Sequence, residues 1–222
     1  NKTVTIGSLS LANGSNGGLA GNYTLTGGTH QLTVNQRPLN ATLATRQYDG
    51  TTTAAGSTVS SFDALQGGET LTMTGSGTAA SANVANGITM SSNGNLALAN
   101  GTGTASNYSL NSTVINIAQR VLNSSGSKIY DANTNALAGA ITLSNLVSGE
   151  ALNHSGTATV SSANVGSYTI SNLTGISIAN GSGGAASNYT LTGGTHSFSV
   201  NPKVVSIQGN KTYDGNTTIS SS

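Results

Sequence analysis

The chain contains no cysteine. Without disulfides its folded state must rest on burial and hydrogen bonds, and it does not match the small, disulfide-dense modules of secreted animal proteins. The cytosol and the disulfide-poor surface proteins of bacteria remain. Charge is the second shortage: only 6% of the 222 residues are Asp, Glu, Lys or Arg, against about 25% in ordinary soluble domains. Cytosolic enzymes seldom carry so little charge, which favours the bacterial surface. A formal net charge of +1 supplies no basic stripe for phosphates, and two Phe, seven Tyr and no Trp leave few platforms for stacked bases. Nucleic acid is therefore not an expected partner. No run of about 18 apolar residues occurs, so no membrane span is expected, and residue 1 does not open a charged-then-apolar signal peptide.

Gly, Ser, Thr, Asn and Ala fill the space left by charge. Thr with Val and Ile favours strands, whereas Gly and Asn favour turns. Hydrophobic residues make up 35% of the chain, enough to supply folded cores.

The organising feature is a repeat. Lys211-Thr212-Tyr213-Asp214-Gly215 is matched by Arg46-Gln47-Tyr48-Asp49-Gly50 and by Lys128-Ile129-Tyr130-Asp131-Ala132. A second block, Asn22-Tyr23-Thr24-Leu25-Thr26-Gly27-Gly28-Thr29-His30, returns as Asn188-Tyr189-Thr190-Leu191-Thr192-Gly193-Gly194-Thr195-His196, with a looser copy at Asn107-Tyr108-Ser109-Leu110. Arg37, Arg120 and Lys203 open successive copies. The spacing divides the chain into the C-terminal part of a module (1–36), two full modules (37–119 and 120–202) and the N-terminal part of another (203–222). Starting and stopping in mid-pattern, the segment reads as a piece of a longer protein. The joint at Asn201-Pro202-Lys203 is too short for a flexible tether, so neighbouring modules are expected end to end with restricted rotation.

Within a module, short alternating segments are punctuated by turn residues about every ten positions, the pattern of an all-β sandwich. Strands are expected near 204–208, 140–143, 156–160, 167–171, 175–179, 188–192 and 196–200, with hairpin-type turns at Asn13-Gly14, Asn93-Gly94, Asn100-Gly101 and Asn180-Gly181. The expected fold is thus all-β, with tandem sandwich-like (immunoglobulin-like) modules. A β-grasp-like unit with one short helix is the alternative, the best helical turn being Ser161–Asn164 and its counterpart Ala80–Asn83. A β-helix would need a sub-period of about 20–30 residues, and none is present. Asn164-Val165-Gly166-Ser167-Tyr168 approximates the sequence around a tyrosine corner.

All six acidic residues can be named. Asp49, Asp131 and Asp214 sit in the opening motif, Glu69 and Glu150 follow glycine in Gly68-Glu69 and Gly149-Glu150, and Asp63 stands alone. Five of the six are locked to the repeat, whereas a catalytic pair is needed once per active site, and no nucleophile and base accompany them. No enzymatic activity is expected. Tyr-Asp-Gly reads as a turn in which Asp accepts backbone amide hydrogen bonds and Tyr packs at the module end. Ala132 in the last position implies an ordinary right-handed or extended residue there, because Ala at positive φ is strained. Scattered carboxylates do not make a calcium site, and His30, His154 and His196 lack a second ligand at zinc spacing, so no metal or other cofactor is expected.

Tyr-Asp-Gly, Gly-Glu, Asn164-Val165-Gly166 and Ala186 with Asn188-Tyr189-Thr190-Leu191 together resemble the YDG-type and related MBG-type repeats of large bacterial surface adhesins. The resemblance covers nearly the whole chain. It implies a stalk segment of a long exported protein of the filamentous-haemagglutinin-like kind, delivered to the cell surface through an outer-membrane secretion partner. The rival expectation is a binding module recognising a host-cell or matrix glycan or protein, or the same protein on another cell. Asparagine adds a modification hypothesis: 14 of the 26 head an Asn-x-Ser/Thr sequon, including Asn22, Asn107 and Asn188, and some adhesins of this class are glycosylated at such sites.

Overall fold

The computed structural model describes residues 2–218. The chain is all-β, in tandem modules, as its alternation and turn spacing imply. Two compact units form: Asn1–Ala44, Thr53–Ala80 and Gly87–Ile115 make the first, and Thr45–Thr52, Ser81–Asn86 and Asn116–Ser222 the second. The copy that opens at Arg37 thus lends two loops, 45–52 and 81–86, to the unit built mainly on the next copy.

In each unit most of the strands join one curled sheet, and the remaining described strands pair two by two. The order of that sheet in the second unit is Asn135–Leu137, Leu152–Val160, Gly166–Asn172, His196–Asn201, Asn123–Ile129, Ile141–Ser144. The first unit repeats that order with Thr53–Ala55, Ser76–Ala79, Ala85–Ser92, Tyr108–Ala118, Arg37–Leu43 and Val59–Phe62. The centre of each sheet pairs the module's opening strand with its closing strand in parallel, Ser124 to Ile129 against His196 to Asn201 and Arg37 to Thr42 against Tyr108 to Val114. Parallel pairing needs a long crossover, and here the rest of the module supplies it.

The two-residue strand period places the cores. Along Arg37–Leu43 the residues Leu39, Ala41 and Leu43 are buried, and along His196–Asn201 His196, Phe198 and Val200 are buried. In the second unit Phe198 packs with Ala136, Ile141, Ala158, Val160, Ile170 and Ile176. A smaller cluster of Leu39, Leu71 and Tyr108, flanked by Phe62, Leu65 and Leu98, occupies the first.

Several local expectations are corrected. Residues 202–218 form no strand, so the strand expected at 204–208 is absent. Only Tyr189–Thr190 of 188–192 is strand. Ser161–Asn164 and its counterpart are bends, with Asn164 N donating to Ser162 Oγ (3.1 Å) and Asn83 N to Ser81 Oγ (3.0 Å). The helical turns among the described residues are three-residue 3-10 segments elsewhere, including Ala20–Asn22, Ala105–Asn107 and Ala186–Asn188. The Asn-Gly pairs do not close two-residue hairpins. Asn13, Asn100 and Asn180 instead accept, each at 2.8 Å, the backbone N–H of Ala20, Ala105 and Ala186. These bonds fix the loop that delivers Tyr23, Tyr108 and Tyr189. Tyr168 Oη donates to the Val165 carbonyl at 3.4 Å, a short-range version of the tyrosine-corner bond. No helix among the described residues is long and apolar enough to cross a membrane.

Candidate functional site

The opening motif folds into the same turn three times. Its basic residue pairs with the Asp three positions on: Arg46 with Asp49, Lys128 with Asp131 (2.8 Å) and Lys211 with Asp214 (2.6 Å). Each Asp also accepts the backbone N–H two residues ahead, from Thr51 at 2.9 Å, Asn133 at 3.3 Å and Asn216 at 3.1 Å. Lys128 and Lys211 wrap the turn further by donating to the side chain and carbonyl of Asn133 and Asn216. The Lys partner first, and then the loop amide, hold the Asp131 and Asp214 carboxyls below the usual range. Burial would raise Asp49, but the Thr51 amide and the Arg46 guanidinium outweigh it and the net shift is downward.

The last motif position runs left-handed in all three copies, with φ of 77° at Gly50, 81° at Gly215 and 64° at Ala132. The right-handed or extended residue expected at Ala132 is therefore overturned: the Asp-anchored turn imposes its geometry even where a Cβ opposes it.

What the turn presents is tyrosine. In the second compact unit Tyr48, only 5% exposed, is buried beside Tyr189 and Glu150. One carboxylate serves both phenols: Tyr48 Oη donates to Glu150 Oε1 (2.5 Å) and Tyr189 Oη to Glu150 Oε2 (2.6 Å). The two rings meet edge to face with centroids 5.5 Å apart, a favoured geometry. Val147 N–H donates to Tyr189 Oη at 3.1 Å, and Arg120 reaches the Tyr48 carbonyl at 3.5 Å while holding Asn145 O at 2.6 Å. Beside them Asn188 accepts Val84 N–H (3.0 Å) and donates to Asn83 Oδ1 (2.9 Å). Burial first, and then the hydrogen bond to Glu150, raise the Tyr48 phenol and push that of Tyr189 up to about 12.

The first unit carries the same frame. Tyr108 Oη donates to Glu69 Oε2, Gln66 N–H donates to Tyr108 Oη at 3.1 Å, and Arg37 Nη1 donates to Gln66 Oε1 at 3.1 Å. The bond to Glu69 raises the Tyr108 phenol. Tyr23, Tyr130 and Tyr213 are exposed. Asn22 and Asn107 are exposed as a glycan acceptor must be, whereas Asn188 is 1% exposed with its amide engaged, which bars modification in the folded unit.

This arrangement orders groups; it does not activate them. Every carboxylate is spent on a hydrogen bond or ion pair, Asp63 by accepting Asn40 N–H at 2.8 Å. The histidines donate Nε2–H to backbone carbonyls, His30 to Leu25, His196 to Leu191 and His154 to Ala138 and Ile141. Among the described residues no three His, Cys, Asp or Glu side chains gather for a metal. The sequence pointed to Tyr48, Tyr189 and Glu150 separately. It gave Arg120 and the Asn83-Val84 loop no role, although Arg37 and Arg120 already recurred as module openers.

No curated protein and no solved structure matches the chain. A family model does: the YDG domain matches residues 33–115 and again 118–197. With most of its length covered by two copies, the chain belongs to the YDG domain family.

Proposed function

We propose that these YDG modules are a stalk segment of a bacterial surface adhesin, spacing an adhesive region from the cell. The observation carrying this reading is the membership of loops 45–52 and 81–86 in the second compact unit. A repeat whose core is completed by its predecessor couples successive copies, so load is shared over an array in which stability sums over units and their junction terms. The conspicuous repeat residues support the same reading, since Tyr48, Asp49, Glu150 and Tyr189 spend their polar atoms on one another and on adjacent backbone. Export to the surface through an outer-membrane partner belongs to this proposal, as does the absence of catalysis and of a cofactor.

Beads coated with the 222-residue chain test it. They are expected to stay at background on host cells and on a glycan array. Saturable binding to one glycan class or matrix protein would replace the stalk reading with that of a binding module.

A further inference from the structure

With no cysteine and no tryptophan in the chain, tyrosine is the aromatic side chain that gives up an electron most readily. Two tyrosines are held against each other inside the second compact unit, Tyr48 on loop 45–52 and Tyr189 just after the Ala186–Asn188 turn. Their rings are 5% and 1% exposed, with centroids 5.5 Å apart and planes at 79°. One carboxylate takes both phenols, Glu150 Oε1 from Tyr48 at 2.5 Å and Oε2 from Tyr189 at 2.6 Å. Sharing that acceptor draws the two Oη ends together. The ring carbons beside them, the Cε positions, are where an oxidised phenol carries unpaired spin and forms new bonds.

A phenol that loses an electron becomes a strong acid. A base already hydrogen-bonded to it takes the proton as the electron leaves, and Glu150 stands in that place for both rings. The second requirement is proximity. Two phenoxyl radicals on separate molecules must meet by diffusion, whereas a pair held in contact within one folded unit couples in an effectively unimolecular step. Electron loss needs no direct contact with the oxidant, so burial does not prevent it.

We propose that Tyr48 and Tyr189 form an oxidative cross-linking site, which closes to a dityrosine when a one-electron oxidant such as a peroxide-derived radical reaches the chain. Each phenol gives one electron to the oxidant and one proton through Glu150 to water. The two radicals join Cε to Cε, and the hydrogens displaced from those carbons move to the oxygens, restoring both phenols. The chain loses two electrons and two protons in all, and two equivalents of oxidant are reduced. The new bond ties the opening turn of one copy to the closing block of the next, and such a link stabilises chiefly by restricting the unfolded chain. It rests on the contacts of the second unit and not on the stalk reading.

The full chain, kept dilute so that chains seldom meet, is oxidised with light, tris-bipyridyl ruthenium and persulfate, then digested and mapped by tandem mass spectrometry. The expected product is a monomer with blue dityrosine fluorescence and a fragment joining Tyr48 to Tyr189, lighter by two hydrogen atoms. Its urea midpoint should lie above that of the untreated chain. Tyr48→Phe keeps the ring but should abolish the link, and Glu150→Gln, which removes the base, should lower its yield by about tenfold or more. Because Glu150→Gln can also loosen the loop, the wild type oxidised in urea serves as the comparison that needs no variant: unfolding should remove the preference for this pair. Oxidation confined to the exposed Tyr23, Tyr130 and Tyr213, with no fragment joining 48 to 189, overturns the proposal. So does a yield of that fragment equal in the folded and the unfolded chain.

Discussion

Ala132 sits at φ 64°, where its two counterparts are glycine. A Cβ in that region costs roughly 1–2 kcal/mol, so Ala132→Gly is expected to stabilise the second unit by about 1 kcal/mol, the flexibility of glycine in the unfolded chain offsetting part of the gain. Gly50→Ala is expected to act in the opposite sense, since its Cβ would also meet Val147 Cγ1 at 3.0 Å. Urea unfolding of the two variants beside the wild type measures both. Tyr189 gives a pH signature. Its phenol titrates near 12 in the folded unit, against an ordinary 10.0. Over that interval the unfolded chain gives up the proton first, so it binds fewer protons than the native state and stability falls as pH rises. The urea midpoint should drop between about pH 10 and 12, and Tyr189→Phe should flatten that decline while lowering stability at neutral pH.

The strand Asn123–Ile129 depends on what lies on either side of it. It pairs in parallel with His196–Asn201 and antiparallel with Ile141–Ser144, so the opening and closing segments of the module meet at the sheet centre. Phe198, 1% exposed, projects from that centre into a core built otherwise of Ala, Ile and Val. Phe198→Ala removes the only aromatic ring fully buried in that cluster and is expected to cost about 3–5 kcal/mol, seen as a lower midpoint in chemical unfolding. Much at this scale was legible in the sequence. Alternation marked a strand at 196–200, which carries the buried Phe198 and Val200, and the repeat marked where each module opens. The parallel pairing was not legible, because periodicity reports which face a residue occupies and not which distant strand lies beside it. The Asn-Gly pairs misled for a related reason: Asn100 and Asn180 bind amides five and six residues on, a loop bond that no dipeptide propensity encodes. The Tyr-Asp-Gly turn was legible because every partner of its Asp is local, while the acceptor of its Tyr, 102 residues away, was not.

At the scale of the whole chain, the sequence period and the compact units are offset, since 45–52 and 81–86 precede the copy whose unit they complete. Glu150 is the joint of that offset. Replacing it by Ala leaves two buried phenols without their acceptor, at about 1–3 kcal/mol each. In Glu150→Ala, hydrogen exchange at the 46–51 amides should accelerate well beyond the change at 39–43; uniform acceleration across both would show that the loop is not held by this carboxylate.

The separation between Tyr48 and Glu150 also sets an order in time. A chain made from its N-terminus releases the Tyr48 turn first, about a hundred residues before the carboxylate and ring that enclose it. The turn can close at once on its own Arg46 and Asp49, but its tyrosine waits in water until Glu150 and Tyr189 have followed. Each repeat is then finished by its successor's arrival, so maturation advances along the array one step behind its leading end. A chain stopped before Glu150 should keep Tyr48 open to surface iodination, and extension past Tyr189 should close it.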